Sequence, residues 1–421
     1  MNVEAESRSP TGVRLESGVE NSGADPGLKD LEPAALLAAA SKEAGLDDYG
    51  DEAFIEPLTQ LMRSIIAEAN LSAIGLLGTR ARMVQCLVNR LRLQQDLKRY
   101  PEILDEDVSD PIVIVGLPRT GTTKLQRMLS NDPAVQRTPF WLLLNPAPLP
   151  GWKRGEPDAR IALAQVQAEA LAQQPDFLAA HPMAAEETEE DVFMMEMSFE
   201  GILPLTQYRV PSFHAWVRDR PRQAFYAYEK ILLQYLQWQG GGRRGRPWVL
   251  KATTHLGDLQ ALIDTFPGVT LVHCHRDVST SMASTIRAAE GFRGLMANDL
   301  DLVALGADYL RIYADEMSRY LPQRKRLESS SGIIDVRYDD IVHDPIAVIR
   351  GIYAVRERVL TPDGEAAMLG WQDENPQYRY GKISYSLERY GLTKTAVEQA
   401  FAGYRQRFAE WLGNQGGSNE T

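Results

Sequence analysis

The 421-residue chain has little cysteine: Cys86 and Cys274 are its two thiols. Two cysteines cannot make a disulfide framework for a chain this long, so a reducing, cytoplasmic setting is expected. Uninterrupted apolar runs of about 18 residues are absent, which excludes a membrane-spanning helix from the expectation. The first thirty residues are polar and acidic, unlike a secretory leader. A basic excess is lacking as well. The 45 Lys and Arg stand against 57 Asp and Glu, a formal net charge of −12. Binding a phosphate polymer needs a basic footprint, so nucleic acid is not an expected partner.

The acidity is local. Residues 1–56 carry four basic and thirteen acidic residues, and the rest of the chain is nearly neutral. With 44% hydrophobic and 24% charged residues the composition is that of a globular protein. Residues 1–30 lack an apolar period and are expected to be a disordered acidic tail. Residues 31–108 read as a helical N-terminal subdomain. Phe54, Leu58, Leu61 and Ile65 recur at helical spacing, as do Met83, Leu87 and Leu91, and Pro101 closes the last helix. Residues 109–421 form the expected main domain.

That domain opens on Pro111-Ile112-Val113-Ile114-Val115, a β-branched run suited to a strand buried on both faces. Similar runs are Trp248–Leu250, Val269–His273 and Gly332–Val336, and helical segments follow the first three, at 122–130, 256–265 and 278–289. Strands alternating with helices predict an α/β fold with a mostly parallel sheet of the P-loop NTPase type, flanked by helices.

The segment after the first run is Gly116-Leu117-Pro118-Arg119-Thr120-Gly121-Thr122-Thr123. A turn from strand to helix presents backbone N–H groups and the free amides of a helix N-terminus, a cradle for an anion. Gly116 and Gly121 have the spacing of GxxxxGK[ST], and Thr123 holds its hydroxyl position, but Thr122 stands where that motif has lysine. A kinase or ATPase sets that lysine on the β- and γ-phosphates. Here a cation lies inside the loop, at Arg119, whose fork suits an anion with several oxygens.

At these residues the chain resembles the sulfotransferase family, in particular its bacterial branch. The loop is similar to that family's site for the 5′-phosphosulfate of 3′-phosphoadenylyl sulfate (PAPS), which implies that Arg119, Thr120, Gly121, Thr122 and Thr123 bind it. A second match is His275-Arg276-Asp277 through Ser284. The resemblance implies that Arg276 and Ser284 bind the 3′-phosphate, with Arg276 at the carboxyl end of a strand, where α/β ligands sit. Val336–Pro345 resembles a strand–helix segment of the family. Tyr378–Leu387 resembles its C-terminal segment, and implies a 3′-phosphate contact for Arg379 and Lys382, although a solvated loop fits those two equally.

The implied reaction moves a sulfuryl group from PAPS to a hydroxyl or amine and releases adenosine 3′,5′-bisphosphate (PAP). The group carries less charge than a phosphoryl group, so positioning and charge stabilisation are expected to suffice without a metal. His273, Cys274 and His275 do not change that, because strand alternation sets Cys274 opposite the histidines. The family places a lysine at the end of the second strand to stabilise the leaving oxygen, which implies this role for Lys251. The favoured general base is His255, four residues on, although Thr253 stands where this branch has proline. Its competitor is the acidic run Glu186–Asp191, where Glu187 and Glu190 would share one face of a helical turn. Phe193, Met194, Met195, Met197, Phe199, Tyr208, Phe213 and Trp216 supply either helix core or an adaptable lining for a small-molecule, lipid or carbohydrate acceptor. The basic loop 240–246 reads as a solvated connection, with anionic lipid heads as the other reading. The rival functions are a P-loop kinase and a noncatalytic nucleotide-binding protein.

Overall fold

The computed structural model describes residues 26–173, 178, 181–242, 245–327, 332–377, 379–381 and 384–412. Residues 1–25 of the expected tail, Arg243 and Arg244 of the basic loop, and Lys382 lie outside them. A 3₁₀ turn, Pro26–Leu31, precedes the first helix, and Leu31 is fully buried.

Three N-terminal helices follow: α1 (Pro33–Ala44), α2 (Ile55–Glu68) and α3 (Ala73–Arg99). Local chemistry sets their ends. Pro33 opens α1, and Gly45 closes it at φ +66°. The Ser72 side chain accepts from the Gly75 N–H at the start of α3. Their apolar faces do not form a separate core. Leu58, Leu61, Met83 and Leu87 belong to one hydrophobic cluster with Phe199, Tyr226, Leu250 and Val278 of the main body.

The four expected strands form one sheet: β1 (Ile112–Val115), β2 (Val249–Lys251), β3 (Thr270–His275) and β4 (Ile333–Arg337). The order is β2-β1-β3-β4 and every pairing is parallel. All residues of β1 to β3 are buried. Their alternation divides them between two cores. Ile112, Ile114, Val249 and Cys274 pack with Leu125, Met128 and Leu129 of helix α4 (Thr122–Ser130). Val113, Val115 and Leu250 face the large cluster on the other side. A parallel sheet is covered in this way on both faces, which explains its unbroken apolar strands.

α4 spans the expected 122–130. The segment at 256–265 instead divides into a 3₁₀ turn, Thr253–Asp258, and a helix, Leu259–Thr265. The third helix extends past Ala289 to Met296. β1 pairs with β2 on one side and β3 on the other, so the carboxyl end of β1 is the switch point of the sheet, where open α/β folds bind ligands.

Candidate active site

The loop from β1 to α4 is built around two glycines. Gly116 has φ +151°, and a Cβ there would lie 2.7 Å from the Cys274 carbonyl oxygen of β3. Gly121 caps α4 at φ +88°. Arg119 itself has φ +66°, a strained value for a residue with a side chain. The Thr120 hydroxyl donates to the Leu117 carbonyl at 2.7 Å and holds the loop together, so it serves the loop and not the cavity. Pro118, Arg119, Gly121, Thr122 and Thr123 line the cavity.

The two anion sites expected from sequence converge. Arg119 Nε donates to Ser284 Oγ at 3.1 Å, and Arg276 donates to the Arg119 carbonyl at 2.9 Å while stacking 3.9 Å from the Tyr338 ring centroid. Burial, and then the neighbouring Arg276 charge, push the Arg119 guanidinium below its ordinary value. Two guanidiniums brought together with a hydroxyl favour an anion between them. Arg379 also lines the cavity, and is tied to the Glu374 carbonyl at 2.8 Å.

Lys251 ends β2 and is almost fully buried. Its ammonium contacts the Glu190 carboxylate and lies 3.2 Å from Thr123 Oγ1. The acidic run that supplies Glu190 is not a helical turn: it runs extended, with Thr188 bridged to Pro139, and helix begins only at Val192. Three of its four glutamates, Glu187, Glu189 and Glu190, therefore part company. Glu187 accepts from the Trp371 indole at 2.9 Å. Glu189 is buried against Arg127 and His181. Burial opposes its charge, but His181 and Arg127 outweigh it and hold its carboxyl down at about 2. Of these three, Glu190 alone is among the cavity-lining residues.

His255 is not among the residues that line the cavity. It is fully buried, with Nε2 3.2 Å from Asp191 Oδ2 and Nδ1 3.1 Å from the Tyr226 hydroxyl. A general base must reach the proton it takes, and both His255 nitrogens already have buried partners, Asp191 and Tyr226.

The cavity holds about 1120 Å³. Of the apolar stretch read from sequence, only Phe193 and Tyr208 line it, whereas Met194, Met195, Met197, Phe199 and Phe213 are core. Ile202, Leu203, Phe292 and Met296 complete the apolar side. Sequence reasoning passed over Lys124, Tyr338 and Arg82, which also line it. Lys124 follows the loop's threonines directly, so its signal lay in the motif. Arg82 of α3 was legible only as one basic residue of an amphipathic helix. It enters the site by folding, where it pairs with Glu196 at 2.6 Å and donates to the Phe193 carbonyl at 2.7 Å.

Comparisons with known proteins point to one family. A model of the Sulfotransferase family matches residues 111–358. The crystal structure of sulfotransferase STF1 from Mycobacterium tuberculosis superposes with a TM-score of 0.73 at 30% identity, covering 87% of this chain and 97% of that one. STF9 from Mycobacterium avium superposes with a TM-score of 0.77 at 25% identity, covering 95% and 100%. The omega-hydroxy-beta-dihydromenaquinone-9 sulfotransferase Stf3 of Mycobacterium bovis is 27% identical over 129 residues, 30% of this chain and 32% of that relative. The chain thus spans about a third of the length of that curated relative. The family match covers more than half of the chain, from β1 past β4, and the chain belongs to the sulfotransferase family.

Proposed function

We propose that the protein transfers a sulfuryl group from PAPS to a hydroxyl of an apolar acceptor. One observation carries this reading: a strand–helix anion loop, two converging guanidiniums and a lysine–carboxylate pair open on one cavity. The donor set fits the group. Arg119, Arg276 and Lys251 supply positive charge, Thr122, Thr123 and Ser284 supply hydroxyls, and the glycine turn leaves the first amides of α4 open. When bound, PAPS supplies an activated sulfuryl group and a phosphate leaving group.

Arg276 and Ser284 hold the 3′-phosphate, with Arg379 beside them, and the loop with Arg119 holds the 5′ end. Lys251 stabilises charge on the departing oxygen. Glu190 accepts the acceptor's proton, since it is the cavity carboxylate beside Lys251; His255 orients the Glu190–Asp191 segment from behind. The Lys251–Glu190 contact keeps both groups at the reaction point, and a donor oxygen arriving at Lys251 frees the carboxylate for the acceptor. The apolar wall of Phe193, Ile202, Leu203, Phe292 and Met296 supports a lipidic or aromatic acceptor. The quinone named for the mycobacterial relative is an acceptor of that kind. Among the described residues no helix is long and apolar enough to cross a membrane.

The test is binding, then transfer. Thermal unfolding is followed with PAP, PAPS, and ATP with magnesium, and transfer with labelled PAPS over a panel of hydroxyl acceptors. PAP is expected to stabilise the protein without magnesium and label is expected in an apolar hydroxyl compound. Stabilisation by ATP and not by PAP refutes the reading in favour of a kinase. Stabilisation by PAP with no transfer to any acceptor favours a noncatalytic nucleotide-binding protein.

A further inference from the structure

Two clusters of three metal-ligand side chains occur among the described residues, and none of the six side chains lines the cavity. The first is His273, His275 and Asp335. Apart from the buried His273 Nε2, which has no partner, its ligand groups already satisfy one another. His275 meets Asp335 at 2.9 Å and the Tyr404 hydroxyl at 2.8 Å, Tyr320 meets His273 at 2.5 Å, and Arg324 pairs with Asp335 at 2.8 Å. Arg324 brings the positive charge that an ion would bring, so the one carboxylate of this cluster is already balanced.

The second cluster is different. Asp191 precedes the short helix Val192–Met195, Glu229 lies in the helix Gln223–Gln239, and His255 lies in the turn after β2. Their exposures are 0%, 1% and 0%, and one ligand atom of each lies within 4.8 Å of the other two. Among the described residues, neither carboxylate oxygen of Glu229 and not Asp191 Oδ1 has a hydrogen-bond partner. Two carboxylates in a dry interior are costly unless something compensates them. Protonating Glu229 removes its charge and offers its O–H to the unpaired Asp191 Oδ1, but the second Glu229 oxygen stays without a partner and Asp191 keeps its charge. A cation among the three groups removes both deficits, because it balances the two negative charges and occupies the orphaned lone pairs.

The donor set also selects the ion. One imidazole and two carboxylates suit zinc or manganese, whereas magnesium and calcium take oxygen donors. Tyr226 on His255 Nδ1 is the outer hydrogen bond that commonly fixes the tautomer of a ligating imidazole, and it turns Nε2 toward Asp191 Oδ2, 3.2 Å away, where the metal would enter. We propose that Asp191, Glu229 and His255 form a buried site for a divalent transition-metal ion, of the zinc type. The ion ties three elements together directly behind Glu190, the neighbour of Asp191, and Lys251, four residues before His255. Its role is structural: it holds those two side chains in register and does not touch the transferred group. The proposal does not rest on the sulfuryl-transfer reading.

The experiment uses the full chain purified without chelators. Metal content is measured by mass spectrometry after exposure to equimolar zinc and gel filtration, for the wild type and for Glu229→Gln and Glu229→Leu. Melting temperature is measured on the same samples. The expected result is about one zinc per wild-type chain, its loss in both variants, and melting several degrees lower in each. The opposite sign is decisive: without an ion, removing an orphaned buried acid stabilises the protein. A wild type that retains no zinc, variants that retain as much as the wild type, or a Glu229→Leu chain that melts higher each overturn the proposal. If neither variant folds, the zinc content of the wild type decides alone.

Discussion

Glu190 and His255 show how little separates a base from a buttress. Both carry chemistry suited to proton transfer, and both lie close to Lys251, one in space and one in sequence. Access separates them: Glu190 faces the cavity, whereas His255 is enclosed between Asp191 and Tyr226. Glu190→Gln is therefore expected to lower kcat by about 10²–10⁴ while leaving the Kd for PAP within about twofold. A variant that changed only KM would remove Glu190 from the proton transfer. Arg276 makes a second residue-scale prediction. Hydrogen bonds to a charged partner are worth about 1.5–3 kcal/mol, so Arg276→Ala should weaken PAP binding by about 10–100-fold in calorimetry. Arg276→Lys should restore little of it, since an ammonium has neither the fork nor the flat face that stacks on Tyr338. Unchanged PAP affinity in Arg276→Ala would end the phosphate assignment.

At the scale of elements, the β1–α4 loop is a device that tolerates few changes. Gly116 lies so close to β3 that a methyl group would collide with a carbonyl oxygen, in a backbone conformation that side chains avoid. Gly116→Ala is expected to cost about 1–3 kcal/mol and to abolish PAP binding, as read by denaturant unfolding and calorimetry; a variant of wild-type stability would show that the loop shifts freely. The extended strip at Glu187–Glu190 gives a pH prediction. Glu189 falls from an ordinary value of 4.5 to about 2 in the folded protein. A carboxyl lowered on folding stabilises above its unfolded value, and that contribution disappears as pH falls through the folded one. The wild type should thus exceed Glu189→Gln in unfolding free energy by on the order of 3 kcal/mol near neutral pH. The margin should shrink steadily below about pH 4.5. A margin independent of pH would show that Glu189 acts through packing alone. The same strip explains a missed expectation. Glu187 and Glu190 have helical spacing, but Thr188 bridges Pro139 and the Thr138 hydroxyl bonds the Glu189 carbonyl at 2.9 Å. Tertiary partners from the segment after α4 hold the backbone extended where local spacing allowed a turn.

The whole molecule is more continuous than its sequence segments. Helices α1 to α3 share their core with the body, and Arg82 of α3 lines the cavity. A chain starting at residue 109 should expose the apolar faces that now meet Leu250 and Phe199, and should be recovered aggregated or as a loosely packed form that binds an apolar dye. A monomeric, cooperatively unfolding fragment that retains PAP affinity would show instead that the helices are an accessory.

Sequence alone determined the elements and the anion loop. Unbroken β-branched runs require two covered faces, which requires a parallel sheet between helices, and two glycines spaced around an arginine at a strand end carry their own backbone reason. The resemblance of its motifs to a known family singled out Lys251, Arg276 and Ser284, and all three line the cavity. Tertiary structure alone decided which carboxylate faces the cavity, that Arg119 meets the Ser284 hydroxyl while Arg276 meets the Arg119 carbonyl, and that Arg82 lines the same cavity from α3. It also gathered Asp191, Glu229 and His255 into one buried cluster. Those outcomes depend on burial and approach between distant segments, which no local spacing encodes.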